Sequence, residues 1–355
     1  MAPTSMASTS ITKSLFTFEP SDIRLKVNYN GEPVTAHVSS SAMSFASPVW
    51  KKFIFPPWKP IAAQNPTTTY DSTPAAKKII VLHYMKKNKN VLPVEEVDFS
   101  DDNGEALLIL LRIAHLQFHD TPATLPYQTL LQVAVLCDQY QCINLVRPWL
   151  SQWVADEETS SKKFGQENWI FIAWVFGRER VYEALARDQV LHLKPIDNSV
   201  YRTSYPLTHM QEINDPMPPG TIDHLLEIRK MMMNDQLERV HATVDKCVET
   251  REFFCASKNF NARADDCNAM ALGSFLQELQ KLGVLPRSKN QKIHESMSVS
   301  EFAQNLMSMN TKGVHPQCGK APLERADSLG FSMPDPVLDA HRRHMKRQSE
   351  GGMMK

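Results

Sequence analysis

The chain predicts a mixed α/β (α+β) protein, with a small sheet flanked by helices in the first half and a mainly α-helical second half. Three observations carry that expectation. Ile23, Leu25 and Val27 alternate with Arg24, Lys26 and Asn28 and run into Asn30-Gly31, the period of a half-buried strand ending in a hairpin turn. Ala106, Leu107, Leu110, Leu111 and Ala114 recur at helical spacing, and so do Ile222, Leu226, Met233, Leu237, Val240, Val244 and Cys247. The 355 residues include 12 Gly against 23 Pro, where average usage would give about 25 and 18. A glycine shortage favours helix, since Gly costs about 1 kcal/mol inside one. It also withdraws the residue that lets a backbone wrap closely around phosphate.

In chain order, residues 1–20 hold eight Ser/Thr and read as a disordered tail, within which Leu15-Phe16-Thr17-Phe18 is suited to add an edge strand. The return strand of the hairpin is expected over 33–38. Ser39-Ser40-Ser41 offers N-caps, and Met43, Phe45, Ala46, Val49, Trp50 and Phe53 supply a helical apolar face. The Ser47-Pro48 step divides that face into two short helices, with Pro48 in the first turn of the second. Residues 56–76 carry five Pro and four Thr with little periodicity, which marks an inserted loop. A strand is expected over 94–99, ending in an acidic cap at Ser100-Asp101-Asp102 before the 106–114 helix. Apolar helices over 130–140 and 142–154 close a domain spanning 21–155.

The polar stretch 156–163 reads as a joint, and 160–332 as a helical C-terminal domain. Its helices are expected over 169–176, 181–193, 221–257, 268–282 and 299–308, with Gly177-Arg178-Glu179-Arg180 as a corner and 201–219 as loop. The 221–257 stripe suits a core helix or a short coiled coil, although Arg229 and Lys230 interrupt its heptad. From residue 334 the pattern is lost, and 333–355 reads as a disordered basic tail ending in His341-Arg342-Arg343-His344-Met345-Lys346-Arg347. Such a run is either solvated, an import signal or a weak nucleic-acid contact.

The segments of the first half resemble the BTB/POZ family, in particular its large fungal set. Asp22-Ile23-Arg24-Leu25-Lys26-Val27 is similar to the family's opening strand. Val38-Ser39-Ser40-Ser41-Ala42-Met43-Ser44-Phe45-Ala46-Ser47-Pro48-Val49-Trp50 resembles its helix pair, where an apolar face meets a Ser-Pro-Val-aromatic corner. The acidic cap followed by Ala106-Leu107-Leu108-Ile109-Leu110-Leu111-Arg112-Ile113-Ala114-His115, and later Ala134-Val135-Leu136-Cys137-Asp138-Gln139-Tyr140, are similar to the following helices. The resemblance spans about 22–155. It implies a scaffold for protein–protein interaction, by self-association as a homodimer or by recruiting a partner such as a cullin-type ubiquitin ligase. The chain departs from cullin-binding members at the Pro/Thr-rich insertion, where they carry a short apolar-x-Glu element. The third reading is a nuclear, chromatin-associated factor using the basic tail, with direct nucleic-acid binding not expected.

Composition and motifs agree with a non-enzymatic reading. Lys+Arg 39 against Asp+Glu 39 gives no global field toward nucleic acid or an acidic membrane. The longest apolar run, 169–176, has eight residues, far below the roughly 20 of a membrane helix. Residues 1–17 lack the apolar core of a secretory signal. With six Cys at no dense spacing, reduced thiols in a nuclear or cytoplasmic protein are expected. There is no GxGxxG, GxSxG or GxxxxGK[ST], and no catalytic set or cofactor is assigned.

The strongest metal-ligating constellation is Cys255, Cys267, His315 and Cys318, in which His-x-x-Cys sets two soft ligands within one turn. The twelve-residue spacing of Cys255 and Cys267, and the competing Cys247, leave buried thiols as the alternative, so no metal is assigned. Cys137 and Cys142 read as core thiols. His37 reads as a group that bonds the turn or faces a partner, and Asp101, Asp102, Asp265 and Asp266 as helix caps. For an interaction patch the aromatic residues are Trp50, Phe53, Phe55 and Trp58, of which Trp50 and Phe53 also belong to the helical apolar face.

Overall fold

A computed structural model of the chain describes residues 15–56, 92–196, 199–203, 210–249, 264–287, 293, 296–314 and 333–350. It divides between Ala155 and Asp156 into two compact units. Both mix helices with a small sheet, and helix predominates.

In the first unit, β1 (Ile23–Tyr29) pairs antiparallel with β2 (Glu32–Val38), Leu25 standing opposite Ala36. The turn is made by Asn30 (φ 53) and Gly31 (φ 82), both in the left-handed region that a tight hairpin requires. On the other side β1 pairs in parallel with β3 (Glu96–Phe99), so the order is β2-β1-β3. Alternation decides the faces: Ile23, Leu25 and Val27 are buried while Arg24 and Lys26 are exposed. The 15–18 segment does join the sheet edge. His37 N–H donates to Phe16 O (2.8 Å), Phe18 N–H donates to His37 O (2.9 Å), and both phenylalanines are buried.

Five helices complete the unit: α1 (Ser40–Ala46), α2 (Pro48–Ile54), α3 (Gly104–Ala114) and the pair α4 (Tyr127–Gln139) and α5 (Ile143–Trp153). Ser39 caps α1 through its side chain, and Ser47 caps α2 with Pro48 at the first helical position. Of α3, Ala106–Leu111 and Ile113 are buried, which makes it the apolar centre of the unit. Its cap is not the acidic pair expected from the sequence. Asn103 Oδ1 accepts from Ala106 N–H (3.0 Å), and Asp102 is engaged elsewhere. Gly104 begins α3 so close to the hairpin that a Cβ there would overlap the Asn28 carbonyl oxygen.

The second unit begins with α6 (Glu157–Ser160), then α7 (Trp169–Val175), all seven residues of which are buried, and α8 (Glu179–His192). Gly177 (φ 68) turns the chain between α7 and α8. Where the sequence predicts loop over 201–219, the structure has part of a second antiparallel sheet: β4 (Leu193–Ile196), β5 (Ser199–Thr203) and β6 (Met210–Glu212), in that order. These strands have three to five residues and no clean apolar alternation, so periodicity had nothing to detect.

Three further helices follow: α9 (Thr221–Glu249), α10 (Ala264–Lys281) and α11 (Val299–Met307). α9 packs on α8, α10 and α11 as a core helix of its own unit. Asp265 and Asp266, expected as caps of a helix from 268, lie instead inside the first turn of α10, which starts earlier and where their charge is favourable.

The 333–355 tail departs most from expectation. Residues Asp339–Glu350 form α12, packed on α7 and α8 with His341 and Met345 buried. The run looked patternless because its anchors include histidines, which a hydropathy reading counts as polar. Among the described residues no helix is long and apolar enough to cross a membrane.

Candidate interaction surface

The corner between α1 and α2 is fixed from both sides. Ser47 Oγ accepts from Val49 N–H (3.1 Å) and Trp50 N–H (3.0 Å) and donates to Tyr140 O (2.6 Å), tying the start of α2 to the end of α4. At the start of α1, Asp22 accepts from Ser40 through both its N–H and its hydroxyl (each 2.6 Å). Ser39 N–H donates to His115 Nε2 (3.0 Å), and His115 Nδ1–H donates to Leu111 O (2.8 Å), which fixes the neutral tautomer of that ring. Burial holds the His115 pKa below the usual histidine value, and the ring stacks on Phe18 with centroids 4.5 Å apart.

Within this frame the predicted aromatics separate. Trp50 is fully buried in a cluster with Phe99 and Tyr140, centroids 6.4 and 5.5 Å away. Phe53 joins the same cluster at 6.2 and 6.4 Å yet keeps 42% of its surface exposed. Phe55 is half-buried, and Trp58 lies outside the described residues. The sequence reading missed the most exposed aromatic among the described residues. Phe45, assigned to the inner face of α1, is 96% exposed. The signal was present in the spacing: Met43 is fully buried, and a residue two further along a helix lies about 200° round from it. Phe45 therefore stands outward while Met43 points in.

A second exposed apolar group lies at the far end of α3. Leu116 is 73% exposed, and Phe118 packs beside Trp149 at 5.4 Å. Trp149 in turn stacks on Trp153.

The polar candidates resolve differently. Asp102 accepts from Tyr140 Oη at 2.5 Å; burial raises the Asp102 pKa, and burial with the neighbouring carboxylate raises that of Tyr140. A polar recess of about 560 Å³ lies beside it, lined among others by Asn28, Asp101, Asp102 and Glu105. His37 is exposed on β2 and lines a smaller recess of about 330 Å³ with Asp22, Arg24 and Glu95. Its backbone bonds the 15–18 segment, not the turn before α1. Cys137 and Cys142 are free and buried, and burial pushes the Cys137 thiol up.

Of the metal constellation, Cys255, His315 and Cys318 lie outside the described residues, and Cys267 is buried in α10. Among the described residues no group of three His, Cys, Asp or Glu is placed to hold a metal ion.

Part of the basic run is engaged within its own unit. His341 Nε2–H donates to Pro219 O (3.0 Å) and Nδ1 accepts from Tyr182 Oη (2.8 Å). Arg342 pairs with Glu179 and with Asp335 (2.7 Å). His344 lies flat on Trp174 with centroids 3.9 Å apart, and burial pushes its pKa down to about 4.

The chain matches no family model, no curated protein and no solved structure.

Proposed function

We propose that residues 21–155 form a BTB/POZ-like interaction module and that the protein acts as a non-enzymatic scaffold, pairing with a second copy of itself through the outer face of α1. The order of hairpin, helix pair, parallel strand and three further helices supports the family reading, as do the Ser39 and Ser47 caps at the positions where the resemblance places its helix pair. The observation that carries self-association is Phe45, whose ring is almost wholly in water on a helix otherwise fixed rigidly at both ends. Leaving a phenylalanine exposed forgoes roughly 1.5–3 kcal/mol of burial, and a two-fold pairing recovers that amount in each copy. A rigid exposed aromatic is also the usual centre of a binding hot spot. The chromatin reading loses part of its support from α12, because His341 and Met345 are packed, although Arg343, Lys346 and Arg347 stay exposed.

Size-exclusion chromatography with light scattering tests the proposal. At micromolar concentration the wild-type chain is expected at twice its 40.3 kDa mass, and Phe45→Asp at the single mass. A monomeric wild type, or a Phe45→Asp dimer, overturns it.

A further inference from the structure

Two faces of α12 do different work. His341, His344 and Met345 anchor the helix to its unit through the Tyr182 and Pro219 hydrogen bonds, the Trp174 stack and complete burial of the Met345 side chain. Lys346, Arg347 and Ser349 lie on the exposed side. The order Lys346-Arg347-Gln348-Ser349 sets cations three and two residues before a hydroxyl. A kinase whose peptide groove carries carboxylates recognises that spacing, because each basic side chain pairs with a separate acidic pocket while the hydroxyl reaches the nucleotide.

The hydroxyl belongs to the last turn of the helix, where it donates to Lys346 O (2.9 Å). Helix ends open at little cost, so the few residues that a kinase must extend are those easiest to free. The same turn is also in intimate contact with the body of the unit. A Cβ on Gly177 would lie 2.6 Å from Met345 O and 2.7 Å from Ser349 N, so the α12 backbone rests directly on the α7–α8 corner.

We propose that Ser349 is a phosphoacceptor for a basophilic serine kinase, and that its phosphate loosens the last turn of α12 from the Gly177 corner. In the transfer, the Ser349 oxygen attacks the γ-phosphorus of ATP, the bond to the β-phosphate oxygen breaks, ADP leaves, and the hydroxyl proton passes to the kinase's base. The product places a charge of about −1.5 to −2 at the end of the helix where the unpaired carbonyls are already negative. Glu350 adds a like charge beside it, and the bond to Lys346 O is lost. Each effect favours the opened turn.

The experiment uses the intact chain, ATP and the catalytic subunit of a basophilic serine kinase, read by peptide mass spectrometry and by amide exchange over 339–350. One phosphate is expected on the peptide that contains Ser349, none there in Ser349→Ala, and at least tenfold slower incorporation in a Lys346→Ala, Arg347→Ala double variant. Exchange over 345–350 is expected to rise about tenfold on phosphorylation and to stay at the wild-type rate in Ser349→Ala treated alike. An intact chain left unmodified at Ser349 overturns the site. Full modification with unchanged exchange overturns the loosening.

Discussion

The two units solve the problem of an interior in opposite ways. In the first, the central helix α3 buries alanine, leucine and isoleucine, and the neighbouring polar groups are tied off at its ends by Asn103 and His115. In the second, the long helix α9 buries Arg229, Gln236 and Thr243 among its apolar residues. Arg229 donates to Leu193 O (2.8 Å) and to Met297 O, joining three elements through one side chain; burial lowers its pKa to about 10, opposed by Glu301, and it remains charged at neutral pH. Glu301 in turn closes the capping box of α11 with Ser298. Apolar fit is forgiving of small changes in shape, whereas a buried cation depends on every partner it has. The first unit should therefore yield to steric insult and the second to loss of a polar group.

The largest expected effect is Arg229→Leu. It removes the donor from two carbonyls, Leu193 O and Met297 O, at a cost of about 3–5 kcal/mol. Urea unfolding followed by exchange over 221–249 checks it. A loss below about 1 kcal/mol would place the strength of this unit in its apolar packing and erase the contrast. Next is Gly104→Ala in the first unit. Helix propensity alone would make it stabilising by up to about 1 kcal/mol. The overlap with the Asn28 carbonyl, a backbone atom, should instead make it destabilising by about 3 kcal/mol. The sign of the change decides which term governs.

Acid sharpens the comparison further. In the first unit burial holds the His115 pKa below its ordinary value. A depressed pKa means the unfolded chain binds the proton first, so the contribution of His115 is complete above about pH 6.5 and fades as pH falls below it. Protonation at Nε2 would also oppose the Ser39 N–H bond and the seat of Phe18. The 15–18 segment is accordingly expected to exchange several-fold faster at pH 5 than at pH 7.5, with the difference flattened in His115→Gln. In the second unit His341 and His344 act in the same sense, but His192 is held above its ordinary value by Asp188 and acts in the opposite one, stabilising at low pH. Two depressed histidines against one raised leave this unit losing stability in acid as well, His192 offsetting only part of the loss.

The same contrast explains what could be read in advance. The hairpin, the Ser39 and Ser47-Pro48 corners and the face of α3 follow from local rules, because apolar period and capping chemistry are written in neighbouring residues. The second unit hides its structure in long-range pairs. Nothing near Arg229 announces Leu193 O or Met297 O, and nothing near His341 announces Tyr182, 159 positions away. Cys255, His315 and Cys318 fall outside the described residues. On the candidate surface, Trp50 and Phe53 were found as aromatics, but the exposed one, Phe45, was absorbed into an apolar face whose geometry the two-residue step from Met43 contradicts.

Helix ends give the smallest and most specific test. Four helices finish with the same paired bonds, in which the residue after the cap is left-handed and the one beyond it bonds back to the last turn. In the second unit those left-handed residues are Gly177 and Gly283; in the first they are Leu116 (φ 63) and Gln141 (φ 52). At Leu116 the motif is complete, with Leu116 N–H donating to Ile113 O (3.1 Å) and Gln117 N–H to Arg112 O (2.8 Å), while the side chain is mostly in water. A leucine pays about 1–2 kcal/mol for that conformation, and glycine would return about 0.5–1 kcal/mol of it as extra chain entropy. Leu116→Gly is therefore expected to stabilise the first unit by roughly 0.5–1 kcal/mol, a higher urea midpoint at unchanged slope. Gly177→Ala, which adds both the left-handed strain and a contact with the α12 backbone, must go the other way. If Leu116→Gly instead lowers the midpoint, the exposed leucine makes a contact within its own unit, and its place beside Phe118 and Trp149 is part of the fold rather than open surface.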